Sequence, residues 1–387
     1  MNQKELELYI HIPFCVKKCS YCDFLSAPAT EQTREAYMAA LFAEIGGRAK
    51  DYSDRTVTSI FIGGGTPSLL SGEQIGQLMD RIREQFAMAQ DAEITMEVNP
   101  GTASAEKLRN FYTAGINRLS IGMQSAQAEE LKNLGRIHDF EGFCQVYREA
   151  VEAGFTNINV DIMSGLPGQT LASYRDTLEK VLHLEPMPQH ISAYSLIVEE
   201  GTPFAAMAER GELPLPEEET ERAMYEETIE VLAKYGFHRY EISNYARDGY
   251  ECRHNVGYWI RRDYLGFGIG AASLIDNVRF QNEKSLGAYL AHPLESREEE
   301  QTLTVQDRME ETMFLGLRLT RGVSCVDFAE QYGRTVEEVY GEVIARNVAD
   351  GLLTVTERKE NQKKDRFLAL TKRGLDLSNY VMAQFLF

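Results

Sequence analysis

The chain contains no apolar run approaching eighteen residues, so no membrane-spanning helix is expected. Its opening, MNQKELELYIHI, has neither a basic start nor a long apolar core and does not read as an export signal. The expected location is therefore the cytoplasm. Cationic excess is missing as well: 40 Lys and Arg face 59 Asp and Glu, a formal net charge of −19. Long-range electrostatics then repel nucleic acid rather than gather it, and no nucleic-acid partner is expected. One stretch departs from this balance, ERKENQKKDRFLALTKRG at 357–374, whose basic residues fit a solvated hairpin near the carboxyl end. Tryptophan occurs once, at Trp259. Six cysteines in a chain of 387 residues without a signal peptide do not describe a disulfide framework. Cys144, Cys252 and Cys325 stand singly and are expected as small buried or half-buried thiols.

What the chain does have is ordinary globular composition, 43% hydrophobic and 26% charged, with a regular alternation of patterns. Strand-like runs at 8–12, 57–64, 93–98, 117–123, 157–163 and 190–196 alternate with amphipathic helical segments near 31–50, 71–88, 104–114, 138–153 and 170–184. Gly115 and Gly154 fall just past two of these helices, where a left-handed cap is wanted. Six βα units follow, and they predict an α/β fold: an incomplete (β/α)6 TIM-like barrel. A further helix is expected over 214–235 and a strand over 238–246. A polar linker, PLESREEEQTLT at 293–304, separates the two expected domains, 1–292 and 293–387. In the second, helices near 305–318, 325–332 and 336–350 lead to a β-hairpin and a last helix, an arrangement like a winged-helix module.

In a barrel of parallel strands the chemistry gathers at their carboxyl ends. The loop after the first run is HIPFCVKKCSYCDF, His11 to Phe24, with Cys15, Cys19 and Cys22 in eight residues and Phe24 where a fourth cysteine would stand. A structural zinc site wants four closed ligands, and nothing nearby supplies the fourth; His11 reads as a structural residue on its strand. A disulfide leaves one thiol odd and suits the wrong compartment. The third reading is a 4Fe-4S cluster held at three irons, with one coordination position open for a second molecule. The loop after the second run, GGGTP at 63–67, lets backbone approach a ligand, though a glycine triplet alone is also a tight turn. Glu97 ends the third run and can accept hydrogen bonds from ribose hydroxyls. Gln124, Arg136 and Asp161 are weaker signals, each with a salt bridge or cap as its plain alternative.

The CxxxCxxC spacing with an aromatic residue before its last cysteine resembles the radical S-adenosylmethionine (radical SAM) superfamily. With YIHIPFCVKKCSYCDF, GGGTPSLL, EVNPG, SIGMQS, LGRIH and DIMSGLPGQT, the chain is similar to the coproporphyrinogen dehydrogenase branch, the HemN/HemW group, from about Tyr9 to its end. The resemblance implies that Cys15, Cys19 and Cys22 hold the 4Fe-4S cluster and that the amine and carboxylate of S-adenosylmethionine chelate its open iron. It also implies cofactor contacts from Tyr9, Tyr21, Gly64, Gly65, Thr66, Glu97, Gln124, Arg136 and Asp161, and one-electron cleavage to a 5′-deoxyadenosyl radical.

Three features favour the heme-chaperone type. Phe24 stands where the dehydrogenase has a cysteine, only fourteen residues precede Cys15, and HNVGYW at 254–259 matches the chaperones' HNxxYW motif. Heme is then cargo, with His254, Tyr258 and Trp259 as candidate contacts: a neutral imidazole can ligate iron, and flat aromatic rings can carry a porphyrin. The plain alternative packs His254 and Trp259 under the following LGFGIGAAS turn. Two functions of different class stand. One is a heme carrier that binds cluster, S-adenosylmethionine and heme and delivers heme to respiratory or other hemoproteins, with any membrane contact peripheral and protein-mediated. The other is an oxygen-independent dehydrogenase that converts coproporphyrinogen propionates to vinyl groups. In the carrier reading the cluster serves either radical cleavage or control of heme affinity and of a cofactor-dependent dimer.

Overall fold

A computed structural model describes residues 4–360 and 363–387. Six parallel strands, β1 (Lys4–Ile12), β2 (Arg55–Gly64), β3 (Ala87–Val98), β4 (Arg118–Gln124), β5 (Ile158–Ser164) and β6 (His190–Ser195), lie side by side in chain order. They are connected through helices α1 (Glu31–Arg48), α2 (Gly72–Gln85), α3 (Ala105–Thr113), α4 (Ala128–Leu134), α5 (Phe140–Ala153) and α6 (Leu171–Leu182). The strands bury both faces, which is why they read as near-continuous apolar runs: every residue of RLSIGMQ in β4 is buried. The helices start where the sequence offers caps. Ser71 and Gln74 form a reciprocal capping box on α2, Thr170 and Ser173 do the same on α6, and α5 ends on Gly154 at φ 110°.

The sheet extends beyond these six. Helices α7 (Pro203–Glu209) and α8 (Glu218–Lys234) precede two short strands, β7 (His238–Arg239) and β8 (Asn244–Ala246), the latter antiparallel to β6. The single strand expected over 238–246 is thus broken, because Glu241 turns inward and accepts hydrogen bonds from Ser243 and Asn244. Helix α9 (Arg253–Trp259) leads to β9 (Tyr264–Phe267), which pairs in parallel with the other side of β1. Then β10 (Ala272–Ile275), β11 (Val278–Asn282), a short α10 (Leu286–Ala291) and β12 (Arg297–Thr302) complete a twelve-stranded open sheet in the order β12-β11-β10-β9-β1-β2-β3-β4-β5-β6-β8-β7.

The expected polar linker over 293–304 is corrected here, since half of it is strand β12, paired antiparallel with β11. Its residues REEEQT are all exposed. A charged, wholly exposed sequence looks like a linker but is also how a sheet edge is kept from pairing with another chain.

After it come α11 (Val305–Gly316), β13 (Val323–Ser324), α12 (Cys325–Tyr332), α13 (Val336–Ala349), the hairpin β14 (Leu353–Glu360) and β15 (Lys363–Leu370), and the short α14 (Lys372–Asp376) and α15 (Ser378–Ala383). These elements share a core of their own around Met313, Leu317, Phe328, Leu368, Val381 and Phe385, apart from the large core beneath the main sheet. The tip of the basic hairpin lies outside the described residues.

Candidate functional site

The loop that follows β1 is held from three directions. Ala27 N–H donates to Pro13 O and Cys15 N–H to Ala27 O, closing the loop's base, while Ser20 N–H donates to Leu134 O at the end of α4 and Phe204 N–H donates to Ser20 O. The three cysteines it carries are free thiols that line one cavity of about 130 Å³ at the carboxyl ends of the strands. Thr66 Oγ1 donates to Cys15 Sγ at 3.6 Å, and Arg136 Nη1 reaches Cys19 Sγ at 3.8 Å. Burial raises the Cys22 thiol above its ordinary range, with the Cys19 and Cys15 sulfurs adding to the shift. Among the described residues no three Cys, His, Asp or Glu side chains close on a single ion. A donor set of three thiols spread along one wall fits a polynuclear iron-sulfur group, which is wider than one ion.

The glycine loop belongs to the same cavity and has a stated reason for its composition. Gly65 N–H donates to Ile12 O, and a Cβ on Gly65 would sit 2.7 Å from Phe14 O and 2.8 Å from Phe14 N. Only a bare backbone lets β2 pass this close to the cysteine loop. Gly64 has φ 109° and donates its N–H to Glu97 Oε2 at 3.0 Å. Burial and the neighbouring Asp161 push Glu97 up to about 7, partly offset by that N–H. Asp161 itself is raised by burial, and accepts from Asn159 Nδ2 at 2.7 Å and Ser120 Oγ at 3.3 Å.

Gln124 ends β4 with φ 68°, a left-handed conformation that a side chain bearing a Cβ adopts at some cost. That turn aims it at the cavity, where the Arg136 guanidinium also lies, anchored by Nη2 on Gly122 O at 2.6 Å. Arg136 Nε is buried without a partner among the described residues. Of the expected contacts, Tyr21, Gly64, Gly65, Thr66, Glu97, Gln124, Arg136 and Asp161 all line this cavity with the cysteines, and Tyr9 does not.

Tyr9 lines an adjoining cavity of about 380 Å³, together with His11, Leu25, Tyr258, Tyr264, Gly270 and Ala272. Phe24, Gly64 and Glu97 border both spaces. Asn99 and Ser120 of the first cavity are legible in the sequence only as members of EVNPG and SIGMQS, not as site residues, and nothing there marks Tyr264 of the second. Ser120 opens the SIGMQS motif but sits mid-strand and is not singled out by it, and Tyr264 belongs to a four-residue strand whose pairing with β1 is remote in sequence. Position Tyr264 packs edge-on against Tyr258, ring centroids 4.7 Å apart. What this geometry offers chemically is a pair of buried acids both raised by burial, one guanidinium and a backbone cradle around three thiols.

The HNVGYW segment is helix α9, and its residues part company. His254 is 1% exposed, its Nδ1 2.8 Å from Ser59 Oγ, its Nε2 3.2 Å from Tyr258 Oη and its ring stacked on Phe61. Burial, with Arg118 and Arg262 nearby, drives it down to about 3, so the imidazole is neutral. Both ring nitrogens are thus within hydrogen-bond reach of a hydroxyl, and His254 lines neither of the two cavities above. Gly257 lies against the Glu7 carboxylate, where any Cβ would collide. Tyr258 reaches the second cavity, and Trp259 faces a separate one beside α11 and α15.

Comparison with known proteins places this geometry. Residues 9–181 match the radical SAM superfamily and residues 303–377 the HemN C-terminal domain. The heme chaperone HemW of Lactococcus lactis is 36% identical over 387 residues, covering 100% of this chain and 98% of that protein. The heme chaperone HemW of Bacillus subtilis is 38% identical over 385 residues, covering 98% of both. Among solved structures, coproporphyrinogen III oxidase (HemN) from Escherichia coli, a radical SAM enzyme, superimposes with a TM-score of 0.84 at 28% identity, covering 99% of this chain and 90% of that one.

Proposed function

Because this chain belongs to the HemW family of radical SAM proteins, we propose that it is a heme carrier, one that binds heme along with a 4Fe-4S cluster and S-adenosylmethionine and passes heme to an acceptor hemoprotein. The observation that carries the cofactor part is convergence: Cys15, Cys19 and Cys22 line a single cavity with Gly64, Gly65, Thr66, Glu97, Gln124, Arg136 and Asp161. In this reading the three thiolates hold the cluster. When bound, cluster and S-adenosylmethionine supply one-electron chemistry at a carbon–sulfur bond. The chain's own residues bind and orient. Gly64 and Gly65 offer backbone at close approach, Glu97 accepts from hydroxyls, Arg136 stands beside Cys19, and Asp161 is fixed by Asn159 and Ser120.

Among the described residues no helix is long and apolar enough to cross a membrane, and the carrier is proposed to work in the cytoplasm, meeting any membrane-held acceptor through protein contact. Cofactor-dependent dimerisation belongs to the same proposal. The test is an anaerobic heme titration of cluster-reconstituted protein followed in the Soret band, run beside product analysis on coproporphyrinogen III. Saturable near-stoichiometric heme binding without decarboxylation supports the carrier. Conversion of propionates to vinyl groups supports the second reading, a coproporphyrinogen dehydrogenase, which the likeness to the Escherichia coli enzyme favours.

A further inference from the structure

The one tryptophan of the chain carries an anomaly. Trp259 Nε1 is buried with no hydrogen-bond partner among the described residues, although an indole N–H normally finds one when buried. Over its ring, 4.4 Å from the centroid, lies the guanidinium of Arg318. Arg318 is half-buried, its Nε is likewise without a partner, and among the described residues its guanidinium makes no ion pair. The acid that acts on it, Glu241, is engaged with Ser243 and Asn244. A partly desolvated cation normally has a partner, because taking it from water without one costs several kcal/mol.

Both groups border a cavity of about 520 Å³ whose other walls are apolar apart from Asn379: Phe314, Leu315, Met382, Ala383 and Leu386. A space of this size is in the usual range for a small-molecule site. Of the lining, Leu386 is 52% exposed, and the residues that adjoin lining residues in the chain include the exposed apolar side chains Ile260, Tyr380 and Phe387. A wide apolar slot with one unpaired guanidinium selects a ligand that is mostly flat hydrocarbon and carries a carboxylate.

We propose that this slot between α9, α11 and α15 is the seat of the heme, its macrocycle against Phe314, Met382 and Leu386 and one propionate paired with Arg318. The site rests on the carrier reading and goes beyond it, because it moves the cargo from His254, whose two nitrogens are taken, to the opposite end of the same helix and makes the carboxyl-terminal helices part of the pocket. The cluster cavity is a different space, with no residue in common.

The test titrates ferric heme and its propionate dimethyl ester into the full-length protein and into Arg318→Gln, Arg318→Lys and Ala383→Phe. Ala383 is exposed at the rim, so a phenylalanine there fills the slot without entering the core. Arg318→Gln is expected to weaken heme at least tenfold and leave the weaker ester binding unchanged, Arg318→Lys to recover most of the loss, and Ala383→Phe to weaken both ligands. Wild-type heme binding that neither Arg318→Gln nor Ala383→Phe alters overturns the site while leaving the carrier reading in place. Absence of any saturable site in the wild type overturns both. Should Arg318→Gln fail to fold, Ala383→Phe decides the question alone.

Discussion

At the scale of single residues, the most consequential carboxylate outside the cofactor cavity is Glu7. It is 0% exposed, its Oε2 has no hydrogen-bond partner among the described residues, and burial lifts its pKa from 4.5 to about 8 against the opposing pull of Arg262. A carboxyl whose folded pKa exceeds its unfolded value binds its proton more tightly when folded. The contribution of Glu7 to stability is therefore full below pH 4.5, declines as pH rises from there through about 8, and is flat above. The expected loss is on the order of a few kcal/mol. Glu7→Gln keeps the shape of the neutral acid and removes this contribution, so the difference between urea midpoints at pH 6 and pH 9 should be clearly smaller in the variant than in the wild type, the remainder coming from other raised acids such as Glu97. A second prediction concerns Gly65. Gly65→Ala sets a methyl against Phe14 backbone that cannot swing away, and should cost about 1–3 kcal/mol while lowering iron retained after reconstitution. Iron content per chain, with Gly76→Ala as the open-space control, checks it.

At the scale of elements, helix α9 shows how a short motif can hold a structural part and a surface part at once. His254 and Gly257 face β1 and β2, while Trp259 turns to the carboxyl-terminal helices. His254→Ala removes two side-chain hydrogen bonds and a ring stack, and should cost about 2–4 kcal/mol by urea unfolding. Heme affinity of the folded variant should remain near that of the wild type, read from the same Soret titration.

The legibility of the elements divides along physical lines. Strands β1 to β6 were readable because they carry largely buried apolar runs and most are followed by a helix with a side-chain cap, as at Thr30, Ser71, Ser104 and Thr170. Strands β9 to β11 were not, since four or five residues beside glycines give too little periodicity, and β9 owes its place to pairing with a strand more than two hundred residues earlier. Strand β12 was hidden by its charges. In the cavity, motif residues such as Cys15 and Gly65 were legible because their chemistry or their missing side chain is unusual. Ser120, quoted only within SIGMQS, was not singled out, because a serine within a buried strand looks the same whether or not a carboxylate such as Asp161 lies beside it.

At the scale of the whole molecule, two cores meet around one short helix. The sheet domain gathers three thiols, a glycine loop and two raised acids at the ends of its strands, and the carboxyl-terminal elements supply most of a separate apolar slot. In the carrier account cofactor and cargo then occupy different spaces on one chain. Removing the cluster by Cys15→Ala, Cys19→Ala and Cys22→Ala together should abolish the visible iron-sulfur absorbance and leave heme capacity per chain within about twofold, since the slot shares no residue with the cysteine cavity.

The central claim is that this protein carries heme, and one measurement reaches it most directly: an anaerobic titration of heme into cluster-reconstituted, full-length protein, with the Soret band followed to saturation. The account predicts a sharp end point near one heme per chain. A linear rise without an end point, indistinguishable from heme added to a protein of similar charge and size, would contradict it.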